Sequence, residues 1–393
     1  ADFSGDAIWA GGGGATVERR TWDNELVWSF TRNDSAYRLH HDVEPMSNGN
    51  VLVIAWEKHD SLDCVEAGRD TTNLTGGGIW SEVVWEISPN DNMGADIIWE
   101  WAAWDHLIQD FDASKSNYGV IADNIDKIDI NFGMGLPAAP DWLHINAIDY
   151  DNYSKHIMLS VPTFGEMWLI DKGNTTPGEL KWRWGNPAAY DHGDAADQKL
   201  FFQHDTHWLD LGLDTSSPDY GKVGVFNNRV PLDTNVISTV NTLNPIYDEY
   251  ENEYFMDSES GTYLPLDFDW TFMSPEPSDL YSNIVSSFQR LNNGNSLICT
   301  GRTGDTREYT QDGDLVWHYK TPLKNIAGVG SPVNQGTVLL PIQNLTFRSN
   351  RYPADYPGLA GIELVSGAPI ELNPTPLPSC LVCDLELSLD SIL

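Results

Sequence analysis

The stretch Pro45–Val53 (PMSNGNVLV) contains the pattern that decides the fold. An Asn-Gly pair tolerates positive φ at both residues. Here it stands directly before an apolar run, which is typical of a tight turn between two antiparallel strands. The stretch Gln289–Ile298 (QRLNNGNSLI) repeats the arrangement far along the chain. The sequence therefore predicts hairpins of one type in two distant places.

A second phrase, an apolar stretch followed by Trp, any residue and an aromatic, recurs along the chain. Its copies are Leu26–Phe30, Ile97–Trp101, Leu180–Trp184, Phe268–Phe272 and Leu315–Tyr319. In chain order, one unit reads strand, Asn-Gly turn, strand, strand, turn, and a last strand that ends in Trp-x-aromatic. Four antiparallel strands repeated in this way are typical of a β-propeller blade.

These units give the predicted architecture. They cover 38–103, 140–186, 203–272 and 282–320, with a partial unit at 326–372 and unassigned strands in 7–30. We expect an all-β protein with a single β-propeller over residues 1–373, closed by its N-terminal strands, because closure removes free sheet edges. The count gives five blades, and six only if one region holds further strands. Residues 374–393 begin with Pro-rich sequence and are predicted to be a tail.

Charge excludes several classes of partner. Among 393 residues, 22 are Lys or Arg and 58 are Asp or Glu, so the formal charge is −36. Such a chain repels nucleic-acid phosphates and anionic membrane surfaces. Its apolar runs are far shorter than the roughly 18 residues that span a bilayer. Because the chain starts at Ala1 and is acidic and rich in Trp, we expect a secreted, periplasmic or extracellular protein whose leader has been removed.

The four cysteines are too few for a disulfide-framework fold. Cys380 and Cys383 form a Cys-x-x-Cys pair with no second Cys or His pair near it. A structural zinc site needs four ligands, so a small local disulfide or two free thiols is the favoured interpretation.

Histidines are the most informative polar residues. Five of the ten fall in three clusters at the start of predicted units, namely His40 with His41, His144, and His204 with His207. The first strand of a blade lines the central channel, so three blades would present imidazoles to one cavity, as ligand sites do. Strand alternation pairs His144 with Asn146 and His204 with Thr206. Asn146, Thr206 and His207 are therefore predicted to bind substrate.

Metal sites are the alternatives. Three histidines from three blades would be enough for a catalytic metal, but the spacing of His204 and His207 does not place both on one face of a strand. The acidic loops 123–129 and 191–194 are rich in oxygen ligands that suit calcium, yet neither has a defined calcium-loop pattern. We expect no metal in the site, with calcium in the loops as the open alternative.

Several phrases resemble the arylsulfate sulfotransferase family. They are Asp141–Asp151 followed by Leu169–Asp171, Trp184–Pro187, Gln203–Asp205 and Val225–Arg229. The resemblance runs from about residue 20 to 370. It implies a six-bladed, usually exported propeller that moves a sulfuryl group between phenols without a nucleotide donor or other cofactor. The site residues that it implies are His144, His204 and Arg229. His40 and His41 are predicted to stand nearby as further catalytic candidates, because they open the equivalent strand of another unit.

The chemistry of sulfuryl transfer suits these residue types. Negative charge on the sulfuryl oxygens is stabilised by fixed cationic donors, and a phenolate with a pKa of about 10 leaves more easily with a proton. A neutral imidazole can also accept the group covalently.

The chain departs from the family at the nucleophile. The resemblance implies a further His that accepts the sulfuryl group, at a position within 299–307. This chain has no His there. It has Arg302 instead, which is predicted to bind substrate through its positive charge. Either His40, His41 or His207 replaces the nucleophile, or it is lost. The alternative function is therefore a non-catalytic extracellular propeller that binds a ligand or associates with itself.

Overall fold

Strands dominate the protein, whose computed structural model describes residues 2–6, 16–74, 77–91, 93–133, 140–173, 178–211, 216–248, 250–326 and 329–375. The N-terminal strands form a three-stranded antiparallel sheet from β1 (Asp2–Asp6), β2 (Thr16–Arg20) and β3 (Leu26–Thr31). The first four-stranded sheet contains β4 (Tyr37–Pro45), β5 (Val51–Asp60), β6 (Gly78–Asn90) and β7 (Gly94–Ala102). The helix α1 (Ser61–Glu66) joins β5 to β6.

A short parallel pair, β8 (Leu107–Ile108) and β9 (Ile128–Asp129), precedes the second sheet. That sheet consists of β10 (Ala147–Tyr150), β11 (His156–Val161), β12 (Glu166–Asp171) and β13 (Leu180–Trp184). The third sheet begins with β14 (His204–Trp208), β15 (Val223–Leu232) and β16 (Asn235–Leu243). After the small hairpin β17 (Tyr247–Asp248) and β18 (Glu253–Tyr254), it is completed by β19 (Trp270–Phe272).

The fourth sheet contains β20 (Ser287–Arg290), β21 (Ser296–Thr300), β22 (Asp305–Tyr309) and β23 (Leu315–Lys320). A hairpin of β24 (Leu323–Ile326) and β25 (Val329–Pro332) follows it. All four large sheets have their strands in chain order and antiparallel, the meander that the repeated units predict. Among the described residues no helix is long and apolar enough to cross a membrane.

The Asn-Gly phrases form the turns predicted for them. Gly49 and Gly294 have φ values of +87° and +82°, a region that glycine adopts without a steric penalty. Each amide donates to the carbonyl three residues earlier, Met46 and Leu291 respectively. The strand after the first turn packs at the centre of its sheet, with Val51–Ala55 fully buried.

The first strands of the four large sheets are fastened to one another by carboxylates. Asp42 of β4 accepts the amide of Ile148 in β10, and Asp149 of β10 accepts the amide of Trp208 in β14. Asp205 of β14 accepts the amide of Phe288 in β20 at 2.8 Å. We call these three bonds the aspartate latches. They bring the first strand of each sheet against the next.

Arg348 lies across the latches. Its Nη2 is 2.7 Å from Asp42 and its Nε is 2.8 Å from Asp205, so one guanidinium joins the first and third sheets. The segment that contains it runs beside β20, where Ser349 and Arg351 donate their amides to Ser287 and Gln289.

The four complete units predicted from the sequence coincide with the four large sheets. Of the fifth, the described residues show the hairpin β24–β25 and the segment beside β20, without a four-stranded sheet. The N-terminal strands β1–β3 pair with one another in a sheet of their own. Ring closure, the number of blades and the domain limits stay predictions. Cys64 and Cys299 are buried free thiols, whereas Cys380, Cys383 and the tail from 376 lie outside the described residues.

Candidate functional site

The site begins at an interruption of β4. The pairing of β4 with β5 shifts between Leu39 and Val43, so His40, His41 and Asp42 bulge from the ladder. His41 has a φ of +55°, a left-handed conformation that costs a non-glycine residue free energy. Bulges of this kind turn side chains away from the alternation of a strand. Here the bulge presents two adjacent imidazoles to the start of the second sheet.

The two imidazoles are linked to a buried carboxyl group. Nδ1 of His40 lies 2.7 Å from Nδ1 of His41, and Nε2 of His40 lies 2.6 Å from Oε2 of Glu82 on β6. The ring of Trp56 stacks on His40 with centroids 4.1 Å apart and planes 14° apart. Glu82 is fully buried and its Oε1 accepts the amide of Ile145. The three groups form a continuous hydrogen-bonded line that ends at His41.

A second carboxylate–imidazole pair stands opposite. Oδ2 of Asp141 lies 2.5 Å from Nδ1 of His144, and Oδ1 of the same carboxylate accepts from Nε1 of Trp56 at 3.0 Å. The rings of His144 and His41 meet edge to face with centroids 4.6 Å apart. His144 also has a positive φ, +57°. His41 in the first sheet and His144 just before the second sheet, both with left-handed backbone conformations, therefore face each other.

Phe202 connects these histidines to a cation. Its ring centroid is 5.9 Å from that of His144 and 6.3 Å from that of His204, and the guanidinium carbon of Arg229 lies 3.6 Å from it. Nε of Arg229 donates to the carbonyl of Asn283. The structure thus brings His40, His41, His144, His204 and Arg229 together along one line of contacts around Phe202.

His204 is held at both ring nitrogens. Its Nδ1 lies 2.8 Å from the side-chain oxygen of Asn228, and its Nε2 accepts the amide of Val285 at 3.1 Å. An imidazole that accepts at Nε2 must carry its proton on Nδ1, so His204 is neutral here. Burial lowers its pKa to about 3. The geometry suits a residue that fixes the third sheet to the fourth rather than one that carries a proton.

Burial sets the charge of the other site groups. It lowers the pKa of His40 and of His41 well below the usual value, and the neighbouring His144 adds to the effect. Burial also raises the pKa of Glu82 well above its usual value. Neutral imidazoles are therefore favoured on the line from Glu82 to His41, and a neutral imidazole keeps a lone pair for a nucleophilic role.

Two arginines give the site its positive charge. Arg229 and Arg302 form no ion pair among the described residues, although the chain has 58 carboxylates against 22 cations. Both are anchored by the segment 281–283. Arg302 lies 5.7 Å from the ring of Tyr281 and its amide donates to Ser282. Unneutralised guanidinium groups beside neutral imidazoles favour the binding of an anion.

Three of the residues predicted to bind substrate, Asn146, Thr206 and His207, are not among the residues in contact around Phe202. Asn146, just before β10, and Thr206, within β14, are both buried, and Nδ2 of Asn146 donates to the carbonyl of Gln203. His207 is half-buried, with Nδ1 2.8 Å from the carbonyl of Asp205. The alternation assumed for His204 and Thr206 does not hold, because β14 has a register shift between His204 and His207. Arg302 lies against the segment 281–283, whose Asn283 carbonyl also holds Arg229.

Sequence reasoning missed Glu82, Trp56, Phe202 and Tyr281. Glu82 stands directly before the apolar residues Val83 and Val84 of β6, and a carboxyl group at such a position was the available signal. Phe202 and Tyr281 lie in loops just before first strands, where no periodic pattern exists. No group of three or more His, Cys, Asp or Glu that could hold a metal ion occurs in the described part of the chain, and calcium in the acidic loops stays a prediction.

Comparison with known proteins gives one family match. A family model described as Arylsulfotransferase (ASST) matches residues 24–326, most of the chain. No curated protein matches.

Solved structures are similar only at low identity. A protein of unknown function from Bacteroides caccae is 11% identical, with a TM-score of 0.38 over 77% of this chain and 74% of that one. A functionally unknown protein from Desulfotomaculum acetoxidans is 10% identical, with a TM-score of 0.35 over 78% and 64%. The periplasmic gluconolactonase PpgL of Pseudomonas aeruginosa is 12% identical, with a TM-score of 0.32 over 78% and 76%. Likenesses of this size carry no functional argument.

Proposed function

Since the chain belongs to the arylsulfotransferase (ASST) family, we propose that it transfers a sulfuryl group from a phenolic sulfate ester to a phenolic acceptor. One observation carries the proposal. His144 and Arg229 both lie against Phe202, His41 lies against His144, and Arg229 has no carboxylate partner among the described residues. A small aryl sulfate has the charge and the ring that this arrangement fits.

Arg229 binds the transferring group. In the transition state negative charge is spread over the three sulfuryl oxygens, as it is in phosphoryl transfer. Nε of Arg229 is fixed by the carbonyl of Asn283, which leaves the outer nitrogens of the guanidinium to donate to those oxygens. A donor that is already oriented contributes more than one that must be ordered during the reaction.

His41 takes the place of the missing nucleophile. Its Nδ1 is engaged by His40, and its Nε2 makes no hydrogen bond to any described residue. The lone pair on Nε2 attacks sulfur, the bond from sulfur to the aryl oxygen breaks, and the electron pair leaves on the phenolate. His144, held by Asp141, gives the phenolate a proton. An incoming phenol returns that proton to His144 and takes the sulfuryl group from His41.

The test is turnover of 4-nitrophenyl sulfate with and without a phenol acceptor. We expect acceptor-dependent release of nitrophenolate, and we expect His41→Asn to abolish it while leaving the fold intact. The matched control is His318→Asn, since His318 lies on the outer strand β23 with its ring bound to Asp305. If wild type releases no nitrophenolate with any phenol, transfer between phenols is wrong.

Ligand binding without turnover is the second candidate. The observation in its favour is that 299–307, where the family nucleophile is expected, contains no His and forms the end of β21, a 3-10 turn at Gly301–Thr303 and β22. Saturable binding of an aryl sulfate that is never cleaved would support this candidate. A propeller with six blades, or five, closed by the N-terminal strands, export from the cytoplasm and self-association belong to the proposal as expectations.

A further inference from the structure

A buried acid stands behind the proposed nucleophile. Glu82 is fully buried, its Oε2 lies 2.6 Å from Nε2 of His40, and Nδ1 of His40 lies 2.7 Å from Nδ1 of His41. Trp56 covers the face of His40 with nearly parallel planes. The line therefore runs from Glu82 through His40 to Nδ1 of His41, and the ring of His41 meets that of His144 edge to face.

We propose that Glu82 and His40 form a proton relay that holds His41 in its nucleophilic tautomer and takes up the positive charge created on its ring by sulfuryl transfer. This inference rests on the proposed function. Neither residue touches the substrate, so both are positioning residues. The relay explains how a histidine in this place can act although the usual family histidine is absent.

The protons balance as follows. Before transfer Glu82 is a carboxylate, His40 donates Nε2–H to it, and His41 donates Nδ1–H to Nδ1 of His40, so Nε2 of His41 has a lone pair. Attack on sulfur forms the N–S bond and leaves the His41 ring positive. The Nδ1 proton of His41 then moves to His40, and the Nε2 proton of His40 moves to Glu82. The ring of His41 becomes neutral and Glu82 becomes a carboxylic acid, and the second half-reaction reverses both moves.

The surroundings of Glu82 contain groups that stabilise its protonated form and groups that stabilise its anion. Burial raises the pKa of Glu82, so the protonated acid is stable there, while the amide of Ile145 donates to the other carboxyl oxygen and stabilises the anion. The charged or titratable groups that face the relay are His144, Asp141 and His204, together with the ion pair between Asp42 and Arg348 beside the bulge. Asp141 raises the pKa of Glu82 further, which opposes full ionisation before transfer.

Three variants test the relay. Glu82→Gln keeps the shape of the side chain but cannot accept the second proton. His40→Asn keeps a polar atom near the position of Nδ1, and so a partner for His41, but breaks the connection to Glu82. Glu57→Gln is the matched control, because Glu57 is also hydrogen-bonded to a histidine, His59, on the same sheet.

We expect Glu82→Gln and His40→Asn each to lower kcat for 4-nitrophenyl sulfate by roughly 10²-fold or more, with KM changed by less than about threefold. Wild-type kcat should rise with pH as Glu82 becomes a carboxylate and only the protons on His40 and His41 remain in the relay. In Glu82→Gln this rise of kcat with pH should be absent. The double variant should fall no further than either single one, because the two residues act as a unit. Glu57→Gln should match wild type.

Wild-type kcat and KM in His40→Asn would overturn the relay, since orientation of His41 alone would then suffice. If Glu82→Gln does not fold, His40→Asn carries the test. If wild type turns over no aryl sulfate, the proposed function fails, and the relay is decided by proton NMR in water. Strongly deshielded imidazole N–H signals that disappear in Glu82→Gln and persist in Glu57→Gln would support it, and their absence from wild type would overturn it.

Discussion

Replacing Arg229 with Gln removes the one cation that the structure places against the ring beside His144. The guanidinium carbon lies 3.6 Å from the ring centroid of Phe202, and Nε is held by the carbonyl of Asn283. Gln keeps a neutral donor but loses the charge and the paired geometry of the outer nitrogens. The ground-state fold should tolerate the change, because Arg229 is half-buried and makes no ion pair with any described residue.

The size of the effect follows from what the outer nitrogens do. Removal of one preorganised donor to a developing oxyanion costs about 2.7–4 kcal/mol, or a factor of 10²–10³ in kcat. We expect Arg229→Gln to lower kcat/KM for 4-nitrophenyl sulfate by roughly 10²–10³-fold. Arg229→Lys should regain no more than about tenfold, because an ammonium is a single point of charge on a flexible stem.

The assay is nitrophenolate release at saturating phenol, with the fold checked by thermal melting. The matched control is Arg32→Gln, which removes another guanidinium that lies over a ring, that of Tyr37 at 5.2 Å, outside the histidine site. An Arg229→Gln protein that melts like wild type and keeps kcat/KM within about threefold of it would refute the assignment of Arg229 to the transferring group.

Three further predictions concern stability. The folded pKa of His204 is about 3, below the unfolded value of about 6.5, so its contribution is full above pH 6.5 and is lost as pH falls toward 3. In urea unfolding, the free energy of unfolding of His204→Gln should therefore fall less between pH 7 and pH 4 than that of wild type. An equal fall in both proteins would contradict this. Burial raises the pKa of Glu44 to about 9, above the unfolded value of about 4.3, so its contribution is present below pH 4.3 and is lost as pH rises through 9. Glu44→Gln should therefore melt higher than wild type at pH 9, and a lower melting temperature there would reject the sign. Arg183 and Glu166 form a fully buried ion pair, so Arg183→Met should cost about 3–5 kcal/mol by leaving a buried carboxylate, while Arg183→Met with Glu166→Leu should cost less than the single change. A double variant less stable than the single one would disprove that reasoning.

Much of the fold could be predicted because its signals are local. The turn at Gly49 needs only two residues to be recognised, and the outer strands carry their Trp-x-aromatic phrases within five residues. The fifth unit was harder. Its described part has one hairpin and a single segment beside β20, and exposed apolar residues such as Val338 and Val365 do not alternate with a buried face.

The site was predicted in its residue types but not in its geometry. The three histidine clusters indicated which strands contribute, because they recur at equivalent places in the units. Alternation could not place the side chains, because the pairing of β4 shifts between Leu39 and Val43 and that of β14 shifts between His204 and His207, and a bulge depends on pairing with another strand. The partnership of Glu82 with His40 spans 42 residues and depends on burial, which no local pattern records.

The aspartate latches bear on how the number of sheets in such a chain can change. Each of the first three large sheets brings its own acceptor, Asp42, Asp149 or Asp205, and the following sheet needs to offer only a backbone amide. Every residue other than proline has a backbone amide, so this hydrogen bond requires almost nothing of the sequence of the following sheet. At this one joint, a duplicated sheet would have to supply only a backbone amide, whereas the apolar faces between neighbouring sheets, where Ile54 and Ile148 belong to one buried cluster, would still have to pack.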